Sequence, residues 1–146
     1  MGREAPPGRS AYAHFEPLQT RWLDNDVYGH INNVVFYSYF DTVINRFLID
    51  RGGLDISQGG VIGVAAESHC TFHAPLSFPQ ALEAGMAVSH IGTSSVRYHV
   101  GVFASDREEA GASGEFVHVF VDRRTRRPVA MPETVRTALQ SLLLAP

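Results

Sequence analysis

The chain has a single cysteine, Cys70, so no disulfide can form within it. Its opening, Met1 to Pro7, lacks the apolar stretch of a secretory signal, and the two absences together give a reducing, cytoplasmic location as the expectation. No apolar run reaches the ~18 residues of a membrane-spanning helix, so a soluble protein with no membrane partner is expected. Charge of one sign is also missing. Twelve basic residues stand against 15 acidic ones, for a formal charge of −3, which leaves no global field to draw nucleic acid. An anionic ligand would have to be met locally. No internal repeat and no interdomain linker interrupts the sequence. Residues 1–13 hold few large apolar side chains and read as a flexible tail. Residues 14–146 read as one domain, for which a content of 45% hydrophobic residues suffices to build a core.

What is present changes period along the chain. Phe15 to Leu23 alternates as a first strand, stopping at a polar cluster around Asp24. From Val34 to Ile49 the residues Phe36, Phe40, Val43, Ile44, Phe47 and Leu48 take helical spacing, with Ser38, Asp41, Thr42 and Asn45 as a narrow polar stripe. A helix so apolar is expected to be enclosed by other structure. Asn32 or Asn33 can cap its start, and Gly52 and Gly53 can end it. Strands are predicted at Val61 to Phe72, Leu82 to Ile91, Ser95 to Ala104 and Glu115 to Val121, the last two separated by a turn over Gly111 to Gly114. Pro132 opens a short final helix with Val135, Leu139 and Leu142 or Leu143 on one face. Sequential strands joined by short turns pair antiparallel, which gives an α+β sheet wrapping one helix. Such a sheet alone has open edges, so pairing with a second copy is expected.

The densest polar segment runs from Asp24 to Asn33, where the first strand ends and the apolar helix starts. A helix N-terminus offers unpaired N–H groups and a partial positive charge, suited to a carbonyl oxygen that gains negative charge under attack. A carboxylate a few residues upstream can act on that carbonyl or on a water beside it. The plainer alternative is an Asn- and Asp-rich capping loop. Two metal readings fail on spacing. As a calcium loop, Asp24, Asp26 and Gly29 fall on positions one, three and six, but Tyr28 takes a ligand position and Val35 stands where a bidentate Glu is required. As a zinc pair, His69 and His73 are four strand residues apart, roughly 13 Å, too far for one ion.

Arg21 to Asn33, followed by Val34 to Asp41, resembles the signature of the 4-hydroxybenzoyl-CoA thioesterase-like family of hot-dog proteins. Ala66 to Pro75, Ile91 to Tyr98 and Arg127 to Glu133 are similar to that family's second strand, its following hairpin and its ending. The resemblance implies a hot-dog fold, a five-stranded antiparallel sheet wrapped around a central helix, assembled as a homodimer or a tetramer of two dimers with sites at the subunit interface. It implies hydrolysis of an acyl-CoA substrate without a cofactor, coenzyme A being part of the substrate. Asp26 matches the family's nucleophile or general base, and the backbone N–H of Asn33 the group that polarises the thioester carbonyl. His30 and Asn32 match residues that shape the loop and orient substrate or water, with Gly29 and Tyr28 beside them. A thioester carbonyl is reactive and thiolate leaves readily, so one carboxylate and an oxyanion site can suffice. No Gly-x-Ser-x-Gly elbow is present.

Glu67, His69, Thr71 and His73 share one face of the second strand. Lying near the expected dimer interface, Glu67 and His69 are candidate substrate contacts, and Arg97 is a candidate for the phosphates of coenzyme A. The arginines 123, 124, 126 and 127 are candidates for the same phosphates or a solvated turn. Asp24 reads as a solvated cap, Asp41 as structural and Cys70 as core. Residues 77–80 depart from the family's usual turn before the third strand. Two rival functions remain on the same fold, an enoyl-thioester hydratase and a non-catalytic acyl-thioester-binding protein.

Overall fold

The computed structural model describes residues 5–144. Five strands, β1 (His14–Leu18), β2 (Val61–Phe72), β3 (Leu82–Ile91), β4 (Ser95–Ala104) and β5 (Ala112–Asp122), accompany two helices, α1 (Asn33–Asp50) and α2 (Glu133–Gln140). Every strand pairing is antiparallel, and the spatial order is β1-β3-β4-β5-β2. With α1 laid across one face, this is the hot-dog fold.

The buried residues of α1 are Phe36, Tyr39, Phe40, Val43, Ile44, Phe47 and Leu48, the three- and four-residue spacing of one helix face. They meet the inward row of the sheet, which includes Met86, Val88, Tyr98, Val100, Phe116 and Phe120. The opposite face carries exposed Val34, Tyr37, Ser38, Asp41 and Ile49, so within one chain the helix is covered on one side rather than enclosed. A single layer of five strands covers only one side of a helix. α2 buries Val135 and Leu139 with Leu142 beyond its end, while Leu143 faces out.

Strands form where partners exist. β1 stops at Leu18, opposite Leu82 at the start of β3, and not at Leu23, because no strand lies beside residues 19–23. There Thr20 Oγ1 donates to Gln80 O at 3.1 Å, and Trp22–Asp24 close a 3-10 turn. β5 starts earlier than its turn residues suggest. Ala112 pairs with Phe72 on one side and Val102 on the other, and this flanking holds the Gly111 to Gly114 region extended. β2 is an edge strand of 12 residues with a bulge between Ala65 and Glu67, and its Val64 and Phe72 are 41% and 44% exposed.

Of residues 1–13, read from sequence as a flexible tail, those from Pro7 onward make defined contacts with the sheet and its loops, residues 1–4 lying outside the described residues. Pro7 O accepts from Ala110 N and Met86 O accepts from Ala13 N, both at 3.0 Å. Arg9 pairs with Glu83 at 3.0 Å, donates to Arg107 O at 2.9 Å, and stacks over Phe103 at 4.9 Å. The ring of Tyr12 lies on a floor made by Gly85 and Gly101, which face each other across β3 and β4. A Cβ on Gly85 would come within 2.8 Å of the ring and one on Gly101 within 2.6 Å. Gly101→Val is therefore expected to cost ~1–3 kcal/mol in urea unfolding. In a Tyr12→Ala background the same substitution is expected to cost far less, because the ring it collides with is gone.

One polar side chain sits inside the core face. His118 is 2% exposed, among the rings of Tyr98, Phe116 and Phe120, with Nδ1 3.1 Å from Tyr98 Oη. Burial pushes its pKa down to about 4 from 6.5. The unfolded chain thus binds this proton first, so stability is present above about 6.5 and falls as the pH drops toward about 4. Wild type is expected to lose ~2–3 kcal/mol more than His118→Gln between pH 7 and 4.5, read by urea unfolding at both pH values.

Candidate active site

Between β1 and α1 the chain makes a small hairpin. Asn25 bridges to Ile31, Asp26 N donates to His30 O at 2.9 Å, and Gly29 N donates to Asp26 O at 3.1 Å. Gly29 closes this turn with φ +84, a left-handed value that other residues adopt only with strain. The hairpin is tied to the loop before β3 on two sides. Ile31 N donates to Leu76 O at 2.8 Å, and Asn25 Oδ1 accepts from Phe78 N at 2.9 Å. Residues 77–80 thus act as the buttress of the hairpin, with the Phe78–Pro79 peptide cis.

Asp26 is half-buried, and both carboxylate oxygens are engaged. Oδ1 accepts from Tyr28 N at 2.9 Å, and Oδ2 accepts from the Asn32 side-chain Nδ2 at 3.3 Å. The same Asn32 amide caps α1, its Oδ1 accepting from Val34 N at 3.0 Å, while its backbone O accepts from Val35 N at 2.9 Å. That leaves the Asn33 N–H at the first turn of the helix with no protein acceptor among the described residues. One side chain therefore joins a carboxylate to a helix N-terminus whose foremost donor is free. A carbonyl oxygen seated on that N–H would lie in the positive end of the helix field, beside the carboxylate.

Asp26, Tyr28, His30, Asn32 and Asn33 line one open cavity of about 500 Å³. Its other wall is mostly apolar: Phe36 from α1 and Phe72 from β2 meet edge-to-face with centroids 5.5 Å apart, Ile31, Pro75 and Leu76 continue the surface, and His73, just past β2, joins it apart from Glu67 and His69. His30 is exposed and makes no side-chain hydrogen bond to Asp26 among the described residues. An aromatic such as Phe36 can be read from sequence as a pocket residue, but its pairing with Phe72 cannot, since the two lie on different elements.

Glu67, His69 and Arg97 do not join this cavity. Beyond the bulge in β2, Ser68, Cys70 and Phe72 take the α1 side, and Glu67, His69 and Thr71 turn to the opposite, convex side. There they gather around Glu115. Arg97 Nη1 lies 2.9 Å and His69 Nε2 3.2 Å from Glu115 Oε2, His99 Nε2 lies 3.6 Å from Oε1, and Glu67 stands 3.7 Å from Arg97. Burial would raise the Glu115 pKa, but the hydrogen bond from His69 and the nearby charges of His99 and Arg97 outweigh it and hold it low. A hollow of about 260 Å³ borders this cluster. Strand alternation, not proximity in sequence, separates these residues from Asp26. Arg123 is likewise committed elsewhere, its guanidinium donating to Gly59 O and Ile56 O.

The profile of the thioesterase-like superfamily matches residues 20–139. In the crystal structure of the PA5185 protein from Pseudomonas aeruginosa, 51% of aligned residues are identical, 96% of this chain and 98% of that one are covered, and the TM-score is 0.95. The 1,4-dihydroxy-2-naphthoyl-CoA thioesterase Slr0204 from Synechocystis shares the fold at 17% identity and a TM-score of 0.78, covering 88% of this chain and 96% of its own. The dynemicin thioesterase does so at 16% identity and 0.83, covering 90% and 98%. Among curated proteins none matches the chain. The chain belongs to the thioesterase-like superfamily, and thioester hydrolysis is the class of reaction that this membership assigns to it. Among the described residues no helix is long and apolar enough to cross a membrane.

Proposed function

We propose that the protein hydrolyses acyl-CoA thioesters in the Asp26 cavity, in the manner of the 4-hydroxybenzoyl-CoA thioesterase-like proteins that its signature resembles. The observation that carries this reading is the Asn32 side chain, which holds the Asp26 carboxylate and caps α1 while leaving the Asn33 N–H free. The thioester carbonyl oxygen accepts from Asn33 N–H, which stabilises the negative charge that develops as the carbon is attacked. Asp26 acts in one of two ways. As general base it takes a proton from water as the water oxygen bonds to the acyl carbon, and the C–S bond breaks to release the thiolate of coenzyme A. As nucleophile it displaces the thiolate itself, and water then cleaves the mixed anhydride.

The edge-to-face wall of Phe36 and Phe72 receives the apolar part of the acyl group, aryl or alkyl. The working unit is a homodimer formed by antiparallel pairing of the free β2 edges, which covers Val64 and Phe72 and makes a ten-stranded sheet. No metal or redox cofactor takes part in this scheme. The test is release of free thiol from a panel of aryl- and alkyl-CoA thioesters, with product analysis on enoyl-CoA. Thiol release supports hydrolysis. Hydration with the thioester retained would move the hydratase reading ahead, and binding without turnover across the panel would favour a carrier.

A further inference from the structure

Asp24, two residues before Asp26, is not the solvated cap that its polar surroundings suggest: it is 0% exposed. Each carboxylate oxygen has two donors. Oδ2 accepts from Tyr39 Oη at 2.7 Å and from Arg21 N at 2.9 Å, and Oδ1 accepts from Arg21 Nε at 3.0 Å and Nη2 at 2.8 Å. Its backbone oxygen accepts from Asn32 N at 2.9 Å. Burial works to raise the carboxyl pKa, yet the bonds from Tyr39 and Arg21 outweigh it and keep the group charged. Burial first, and Asp24 second, push the Tyr39 phenol upward, so it remains a donor.

These contacts link three pieces that the Asp26 cavity depends on. Tyr39 stands on α1 six residues beyond Asn33, ~9 Å along the helix axis. Asp24 ends the turn that leads into the hairpin, and Asn32 is the residue that holds Asp26. Ile31 anchors one end of the hairpin in the core, but its tip and the turn before it have little apolar burial within the chain, since Trp22, Leu23, Val27 and Tyr28 are all more than three-quarters exposed. Polar contacts therefore hold the Asp26 side of the hairpin relative to the helix. We infer that Arg21, Asp24 and Tyr39 form a clamp that fixes the Asp26 hairpin against the first turn of α1, making Asp24 and Tyr39 positioning residues of the site. A small displacement of a reacting group is enough to cost ~100-fold in rate, so the clamp acts through geometry without touching the acyl group.

The rate arm of this inference rests on the thioesterase reading, and its structural arm does not. Tyr39→Phe removes one O–H donor and keeps the ring that packs in the core. It is expected to lower kcat ~10-fold, and Asp24→Asn ~100-fold, each with KM within about 2-fold of wild type. Hydrogen exchange of the amides of residues 24–34 is expected to quicken at least ~10-fold in both variants, while β3 and β4 keep wild-type protection. Unchanged kcat in a folded Tyr39→Phe variant, a loss confined to KM, or unchanged exchange over residues 24–34 would overturn the clamp. Should Asp24→Asn fail to fold, Tyr39→Phe decides alone. Should wild type cleave no thioester, the thioesterase reading falls and the exchange data still decide the clamp.

Discussion

Asp26→Asn is expected to keep the fold and to lose ~10²–10⁴-fold in kcat for the best acyl-CoA substrate. The substitution is nearly isosteric. The new amide can still present an oxygen to Tyr28 N, the 2.9 Å contact that shapes the turn. What it cannot do is take a proton from water or bond to an acyl carbon. Its NH₂ would also face the Nδ2 of Asn32, which cannot turn its oxygen around without releasing Val34 N at the helix start. One lost hydrogen bond of this kind costs ~1 kcal/mol, a modest shift in the thermal midpoint. The checks are thiol release and thermal unfolding on the same preparation. A folded variant that retains turnover within a few-fold of wild type would remove Asp26 from the chemistry.

Substitutions at Asn32 are expected to separate two roles carried by one side chain. Asn32→Ala removes both the cap and the donor to Asp26, so stability should fall by ~1 kcal/mol and kcat ~10–100-fold. Asn32→Asp restores a good capping oxygen for Val34 N but offers no hydrogen to Asp26. Thermal stability should therefore return toward wild type while turnover stays low. Recovery of full turnover in Asn32→Asp would show that the carboxylate needs no donor at this position. Recovery of neither property would show that repulsion between the new carboxylate and Asp26, whose Oδ2 lies 3.3 Å from the atom replaced, cancels the cap.

The parts of this structure that could be read from sequence are those whose determinants lie within a few residues of one another. Helix α1 shows its buried face in its own spacing, and β4 and β5 show theirs in alternation. The segment from Asp24 to Asn33 is equally local, but it is the likeness to the family signature that singles out Asp26, Asn32 and Asn33 within it. Where distant strands decide, the sequence was silent. The burial of Asp24 depends on Tyr39, fifteen residues on. The only local signal was the three-residue spacing of Arg21 and Asp24, which suits a turn closed by side chain and backbone together. Glu67 and His69 were correctly placed on one strand face, but which face looks toward the helix follows from pairing with β5. Tyr12 gave no sign of its seat, because Gly85 and Gly101 become neighbours only once β3 and β4 have paired.

The seat of Tyr12 also bears on the order in which the chain can assemble as it is made. Pro7 is held by Ala110, and Arg9 by the carbonyl of Arg107, 98 residues later. A ribosome has therefore synthesised most of the domain before Pro7 and Arg9 find their partners. Until then β1 waits for β3, and β2 waits for β5, with its apolar side chains uncovered. Contacts so distant along the chain slow folding, and uncovered strands invite pairing with the wrong neighbour. Helix α1, complete within eighteen consecutive residues, is the element able to form early. Residues 7–13, made before the strands they rest on, are thus among the last parts of the domain to be fastened.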